Sequence, residues 1–110
     1  MSNIKKFDRD SDGFLNDPQD WDTKFVETVS SEFNIELKDN HWDVINYIRE
    51  YFEKHHKVPE LRELLKSFRT KFGENKATRK YIYNLFPYGY GQQACKLAGM
   101  RQPKKLWLDL

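Results

Sequence analysis

The sequence predicts an α+β domain that is mostly α, with a small N-terminal β-hairpin, about five helices and a C-terminal arm. Three observations support this fold class. Apolar residues recur every three or four positions through most of the chain, which is the spacing of one helix face. The length of 110 residues suits a single domain. Eight Phe, six Tyr and three Trp supply the large side chains that the core of such a domain needs.

The N-terminal segment, residues 1–16, is predicted to form the β-hairpin. Asp12-Gly13 lies between short apolar flanks, and Gly accepts the positive φ angle that a tight hairpin turn requires. The stretch that begins at Asp8 also matches the opening of a calcium-binding loop. Its twelfth position is Gln19 instead of the bidentate Glu that calcium requires, so the turn is the better interpretation.

The first two predicted helices each have a start signal and an apolar face. Asp17-Pro18 supplies a cap and a first-turn proline for a helix from about 18 to 33. Asp39 or Asn40 caps a second helix, which ends near His55-His56. No Cys, Asp or third His lies near these histidines to complete a metal site, so we expect them to stabilise the helix C-terminus. The predicted buried faces consist of Trp21, Phe25, Val29 and Phe33, and of Trp42, Ile45, Ile48 (or Val44 and Tyr51) and Phe52.

The next two predicted helices have the outline of a helix-turn-helix. The first opens at Val58-Pro59 and stops at Gly73, and the second runs from about 77 to 86. The first turn of the second helix is basic and bears a hydroxyl group, a combination that can contact DNA phosphates and base edges. One alternative function is therefore a DNA-binding transcriptional regulator. Its DNA-contacting residues would be Lys76, Thr78, Arg79 and Lys80.

Charge is distributed unevenly along the chain, although the formal net charge is only +2. Residues 1–50 carry six Lys/Arg and twelve Asp/Glu, whereas residues 51–110 carry thirteen and five. The two halves therefore present opposite fields, and the basic half includes the cysteine helix and the arm. A solvated surface with uneven charge is the alternative interpretation. A single cysteine allows no internal disulfide, and no run of residues suits a signal peptide or a membrane span. We expect a cytoplasmic, monomeric protein that does not contact membranes.

The C-terminal stretch, residues 90–110, contains the only cysteine, Cys95, on a short helix that stops at Gly99. Pro103 prevents the helix from continuing, so residues 100–110 are predicted to form an arm that leaves a body of residues 1–99. The arm either folds back on the body or enters a partner. Its predicted partner-binding residues are Arg101, Lys104, Lys105, Leu106 and Trp107.

Two roles for Cys95 are open from its sequence neighbourhood. A position near the start of a short helix, beside Lys96, favours a reactive thiolate. The small apolar neighbours equally favour a buried packing residue. The sequence shows no paired carboxylates, nucleophile elbow, phosphate loop or cluster of metal ligands, so we predict no independent catalytic site, no cofactor and no metal.

The C-terminal motif, NLFPYGYGQQACKLAGMRQPKK, follows a recognisable pattern. The pattern is Leu-Phe-Pro-x-Gly, a helix with a Cys or Thr before a basic residue and an IAGL-like run, and then a proline-containing arm. Further matching positions upstream are Asp12-Gly13-Phe14-Leu15, Trp21, His41-Trp42, Pro59 and Lys71-Phe72-Gly73. Over nearly its whole length, the chain resembles the DsrC/TusE family of sulfur-relay proteins, also called the gamma subunit of dissimilatory sulfite reductase.

The resemblance implies a role in sulfur trafficking. Members of that family carry sulfur as a persulfide on a penultimate arm cysteine, and pass it between sulfurtransferases and a sulfite reductase or a tRNA-thiolating enzyme. Cys95 matches the helix cysteine of the family, but the matching arm position is Leu106, which can neither accept sulfur nor close a bridge. The resemblance therefore implies an accessory or regulatory variant that binds a sulfur-pathway protein through its arm. Cys95 would at most form mixed disulfides or accept a persulfide.

Overall fold

The computed structural model describes residues 7–102, and within them the fold is helical. Five α-helices follow one another in this part of the chain, which confirms the mostly helical prediction. They are α1 (Thr23–Phe33), α2 (Asp39–His55), α3 (Leu61–Phe72), α4 (Arg79–Leu85) and α5 (Cys95–Leu97). Two 3-10 turns, Pro18–Asp20 and Glu74–Lys76, precede α1 and α4, and a π-helical turn, Tyr90–Ala94, leads directly into α5.

The predicted N-terminal hairpin is not supported. Residues 7–102 contain no strand, only a single antiparallel bridge between Arg9 and Leu15. The turn itself does form, because the Asp10 carboxylate accepts the backbone N–H groups of Asp12 at 2.9 Å and Phe14 at 3.0 Å. Because the Phe14 N–H bonds to the Asp10 side chain, the backbone pairing of these two residues keeps only the bond from the Asp10 N–H to the Phe14 carbonyl. Residues 1–6, which began the predicted hairpin, lie outside the described residues.

Caps and glycine determine where the helices begin and end. The first helix starts later than predicted, because Asp22, and not Asp17, caps it: the Asp22 carboxylate accepts the backbone N–H of Phe25 at 3.0 Å. The third helix also starts later, at a capping box in which Glu63 accepts the backbone N–H of Glu60 at 3.2 Å. Gly73, at φ +95°, ends α3 as predicted.

The core lies where the apolar faces of α1, α2 and α3 meet, and the C-terminal segment enters it. Both α1 and α2 pack against α5. Burying one Leu, Ile or Phe side chain contributes about 1.5–3 kcal/mol, so this cluster fixes the chain as far as Met100. Its fully buried members include Phe25, Val29, Ile45, Ile48, Leu61, Leu64, Ile82, Tyr90, Cys95, Leu97 and Met100. Among the helices of the described part, none is long and apolar enough to span a membrane.

Candidate functional site: the cysteine turn and the root of the arm

Cys95 follows a wide helical turn that brings it close to Tyr90. The backbone N–H of Cys95 bonds to the carbonyl of Tyr90, which is the i to i+5 pattern of a π-helix. Gly89, at φ +103°, lets the chain change direction just before this turn. The predicted cysteine helix is therefore a π-helical turn followed by a three-residue α-helix.

The thiol of Cys95 is fully buried and forms no disulfide. It interacts with the hydroxyl of Tyr90, which donates a hydrogen bond of 2.5 Å to the carbonyl of Pro59. Burial, with a smaller contribution from the adjacent Cys95, raises the pKa of Tyr90 well above its usual value. The phenol therefore stays protonated, and the thiol lies in apolar surroundings, where a thiolate is disfavoured.

The ammonium group of Lys96, which was expected to favour a thiolate at Cys95, packs on aromatic rings instead. It lies over the rings of Phe14 and Phe33, at 5.4 and 5.1 Å from their centroids. These contacts are cation–π interactions that hold α5 against the N-terminal turn and α1. The structure thus places Cys95 as a buried residue and assigns Lys96 to packing.

Two buried polar side chains fix the segments that lead to this turn. The side-chain oxygen of Gln93 accepts the backbone N–H of Tyr88 at 3.0 Å, while its amide nitrogen is buried with no hydrogen-bond partner. His41 joins α2 to the end of α4: its Nδ1 accepts the N–H of Lys38, and its Nε2 donates to the carbonyl of Leu85, both at 3.0 Å. Burial lowers the pKa of His41, which keeps its imidazole neutral in this role.

The helix that carries Cys95 ends in a Schellman motif. The backbone N–H of Met100 bonds to the carbonyl of Cys95 at 3.1 Å, and the N–H of Gly99 bonds to the carbonyl of Lys96 at 3.0 Å. Gly99 has the required positive φ angle of +78°. Met100 is fully buried, whereas the next residue, Arg101, is exposed, so the buried part of the chain ends at Met100. We call residues 97–100 the root of the predicted arm.

Two side chains from distant parts of the sequence hold the root of the arm. Trp21 donates its indole N–H to the carbonyl of Leu97 at 2.8 Å. Arg49 donates to the carbonyl of Ala98 at 3.2 Å, and its guanidinium group lies 4.6 Å from the Trp21 ring centroid. From the sequence, Trp21 is predicted to lie on a buried helix face and matches the family pattern, whereas no role is predicted for Arg49. No local pattern marks such a contact, because it joins residues 76 and 49 positions apart.

The predicted partner-binding residues lie at and beyond this root. Arg101 is exposed. The other four, Lys104, Lys105, Leu106 and Trp107, lie outside the described residues. Across residues 7–102, no three His, Cys, Asp or Glu side chains are grouped to hold a metal ion.

The residues of the DNA-binding alternative include two with structural roles inside the fold. The Thr78 hydroxyl accepts the backbone N–H of Tyr81 at 3.1 Å and so caps α4. Lys76 donates to the side chain of Asn40 at 3.5 Å. Arg79 and Lys80 are exposed at the start of a helix of only seven residues. Nothing in this arrangement supports the DNA-binding alternative.

Comparison with known proteins decides which family the chain represents. The sequence model of the family described as "DsrC like protein" matches residues 1–106. The chain belongs to the DsrC-like family. Sulfurtransferase TusE of Salmonella typhimurium (strain LT2) is 36% identical over 101 residues, which cover 92% of this chain and 93% of that protein.

Two solved structures of the family share the fold. The NMR structure of Allochromatium vinosum DsrC has a TM-score of 0.82 and 38% identity, covering 94% of this chain and 93% of its own. The crystal structure of the oxidized gamma-subunit of dissimilatory sulfite reductase from Archaeoglobus fulgidus also scores 0.82, at 37% identity, covering 94% and 95%. The family predicted from the C-terminal motif is confirmed.

Proposed function

We propose that this DsrC-like protein acts in sulfur trafficking by binding a sulfur-pathway protein through its arm, residues 100–110. The observation that carries the proposal is similarity to TusE sulfurtransferases over 92% of the chain. The exposed cation of Arg101, directly after the buried root, supports an arm that begins there. Lys104 and Lys105 add positive charge that suits an acidic partner surface.

The replacement of the arm cysteine makes this chain an accessory or regulatory variant. Leu106 occupies the position that carries sulfur in the family pattern, so the arm can present shape, charge and apolar groups but no thiol. Cys95 does not compensate for this loss in the folded state, because its thiol is fully buried beside Tyr90. Such a chain occupies the partner's site without delivering sulfur.

The names of the relatives suggest two classes of binding partner. The Archaeoglobus fulgidus structure is that of a dissimilatory sulfite reductase subunit, and the Salmonella relative is a sulfurtransferase. The partner is therefore a sulfite reductase or a sulfurtransferase complex. A cytoplasmic location, a monomeric state and a one-domain division into residues 1–99 and 100–110 stay predictions from the sequence.

A binding experiment tests the role of the arm. The full chain and a chain ending at Gln102 would be titrated by calorimetry into a purified dissimilatory sulfite reductase and, separately, into a purified sulfurtransferase complex. We expect the full chain to bind one of the two, and truncation to weaken that binding at least about tenfold, the equivalent of 1.4 kcal/mol. Equal binding by both chains would show that the arm is not the binding element.

A mass measurement tests whether Cys95 carries sulfur. In transfer from a persulfide donor, a protein thiolate attacks the outer sulfur, the donor's S–S bond breaks and the donor thiolate leaves. We expect no mass gain on native wild-type protein, and a gain of one sulfur atom on a Leu106→Cys variant, which restores an arm thiol. A gain on Cys95 of folded wild-type protein would replace the binding role with a carrier role.

A further inference from the structure

We infer that Trp21 and Arg49 are positioning residues for the arm: together they set the point and the direction from which the chain leaves the body after Met100. The effect of these two residues on the geometry of the arm is inferred from the contacts of the described residues alone. The consequence of that geometry for partner binding rests on the function proposed above.

The first observation concerns the last two carbonyls of the cysteine helix. The final carbonyl groups of an α-helix have no partner within the helix. Here the carbonyls of Leu97 and Ala98 bond to Trp21 and Arg49, which belong to the segment before α1 and to α2. A helix of only three residues sets a weak direction of its own, so the hydrogen bonds from these two side chains, together with the packing of α5 on α1 and α2, orient its end.

The second observation is that Arg49 holds two segments at once. The same guanidinium nitrogen donates to Ala98 at 3.2 Å and to the carbonyl of Pro18 at 2.9 Å. Arg49 therefore ties the 3-10 turn before α1 to the root of the arm. A lysine carries a comparable charge but lacks the rigid planar fork and stacks less well on an aromatic ring.

The third observation is the electrostatic cost of this arrangement. Arg49 is half-buried, burial lowers its pKa, and its Nε is enclosed without a hydrogen-bond partner. Among the described residues it forms no ion pair: its hydrogen bonds are to carbonyl oxygens, and its guanidinium stacks on Trp21. The cost of desolvating the guanidinium group offsets part of the stabilisation that these contacts provide, which is consistent with a geometric role.

The fourth observation is how closely the chain passes over Trp21. A Cβ atom added at Gly99 would lie 2.3 Å from Cδ1 of the indole ring, closer than real Cβ contacts allow. The backbone at Gly99 is therefore pressed against the ring, and Arg101 emerges two residues later. The indole face acts as the surface that directs the exit of the arm.

Pulsed electron paramagnetic resonance on the protein without a partner tests the inferred effect on the geometry of the arm. In a Cys95→Ala background, spin labels would be attached at Leu106→Cys on the arm and Thr70→Cys on the exposed side of α3. The distance distribution between the labels would be compared for Arg49→Met, Arg49→Lys and Trp21→Phe, the last of which keeps a large ring and removes the N–H donor. Arg62→Met, at an exposed arginine of α3 whose side chain is 71% accessible, is the matched control.

We expect the variants at Arg49 and Trp21 to broaden the distribution and shift its mean, and Arg62→Met to leave it unchanged. An unchanged distribution in variants that are folded by circular dichroism would overturn the inference. If Arg49→Met fails to fold, the distance distributions of Arg49→Lys and Trp21→Phe provide the same test. A residue with only a stabilising role would lower the unfolding midpoint and leave the distribution as it is.

Binding to the purified sulfite reductase or sulfurtransferase complex that recognises the wild type gives a second readout. A disordered arm root adds an ordering cost on binding, so we expect Arg49→Met to bind about three- to tenfold more weakly than Arg62→Met. Equal binding by both variants, together with an altered distribution, would limit the two residues to arm geometry. Equal binding by full-length and truncated chains would instead remove the proposed function and leave the distance result standing.

Discussion

The thiol of Cys95 lies beside the hydroxyl of Tyr90, which is bonded to the carbonyl of Pro59. From the sequence, a reactive thiol and a buried packing residue were equally acceptable interpretations. Full burial favours the second, because the thiolate that nucleophilic chemistry requires is disfavoured in apolar surroundings. The basic neighbour Lys96 packs on aromatic rings instead of assisting the thiol.

His41 leads to a prediction about pH. Burial lowers the pKa of its imidazole from the ordinary value of 6.5, so the folded state binds a proton less readily than the unfolded chain. The stabilising contribution of neutral His41 is therefore complete above about pH 6.5 and is lost as the pH falls toward the lowered folded-state pKa. We expect the free energy of unfolding, measured by urea denaturation, to decrease from pH 7 to pH 5 by at most about 1.4 kcal/mol per pH unit from this group.

The variant His41→Gln removes the buried imidazole and should flatten the pH dependence relative to the wild type. The slopes are compared, because His41→Gln also lowers stability at every pH by disturbing two hydrogen bonds. A slope equal to that of the wild type would contradict the assignment.

At the scale of elements, the end of α5 is defined by both local and distant contacts. The Schellman bonds and the positive φ angle of Gly99 are local, and a glycine after an apolar helix predicted this end correctly. The π-helical turn before Cys95 was not predicted, because the sequence pattern of one wide turn does not differ from that of an ordinary helix. Tyr90 is buried through that turn, where it bonds to Pro59.

Gly99→Ala should destabilise the protein more than Gly73→Ala. Both glycines have positive φ angles, but an added Cβ meets nothing within 4 Å at Gly73, whereas it meets Trp21 at 2.3 Å at Gly99. Backbone strain alone costs about 1–3 kcal/mol, and overpacking adds roughly 1–3 kcal/mol. We therefore expect the loss in unfolding free energy at Gly99, measured by urea denaturation, to exceed that at Gly73 by at least about 1 kcal/mol. Equal losses would show that the indole ring yields to the methyl group.

At the scale of the whole molecule, the proposed function assigns stability and partner binding to different parts of the chain. The fully buried side chains of the described residues run from Phe14 to Met100. Residues beyond Gln102 include the cations and apolar groups of the proposed binding arm. The charge asymmetry between the two halves of the sequence places a positive field in the same part of the chain as the arm.

A chain ending at Gln102 should therefore fold with nearly the stability of the full chain. We expect the free energy of unfolding, measured by circular dichroism in urea, to change by less than about 1 kcal/mol, the range of a surface alteration. The full-length protein under the same conditions is the reference. A loss of 2 kcal/mol or more would show that residues 103–110 pack on the body, and would contradict an arm that acts only on a partner.

The sequence alone indicated the helical class and the family, and it has Leu106 at the position where the resemblance implies an arm thiol. Helix periodicity and end signals act within a few residues, and the C-terminal motif is contiguous, so both can be recognised without a structure. The N-terminal hairpin was the exception: side-chain bonds from Asp10 stabilise the turn, but the described residues form only one bridge beside it.

Only the tertiary structure shows the burial of Cys95, the partners of Lys96 and the hydrogen bonds of Trp21 and Arg49 to Leu97 and Ala98. Each depends on which residues meet after the helices pack. The contacts of Trp21 with Leu97 and of Arg49 with Ala98 span 76 and 49 positions of sequence. No local pattern encodes such pairings, because the geometry of the whole core brings the two partners together.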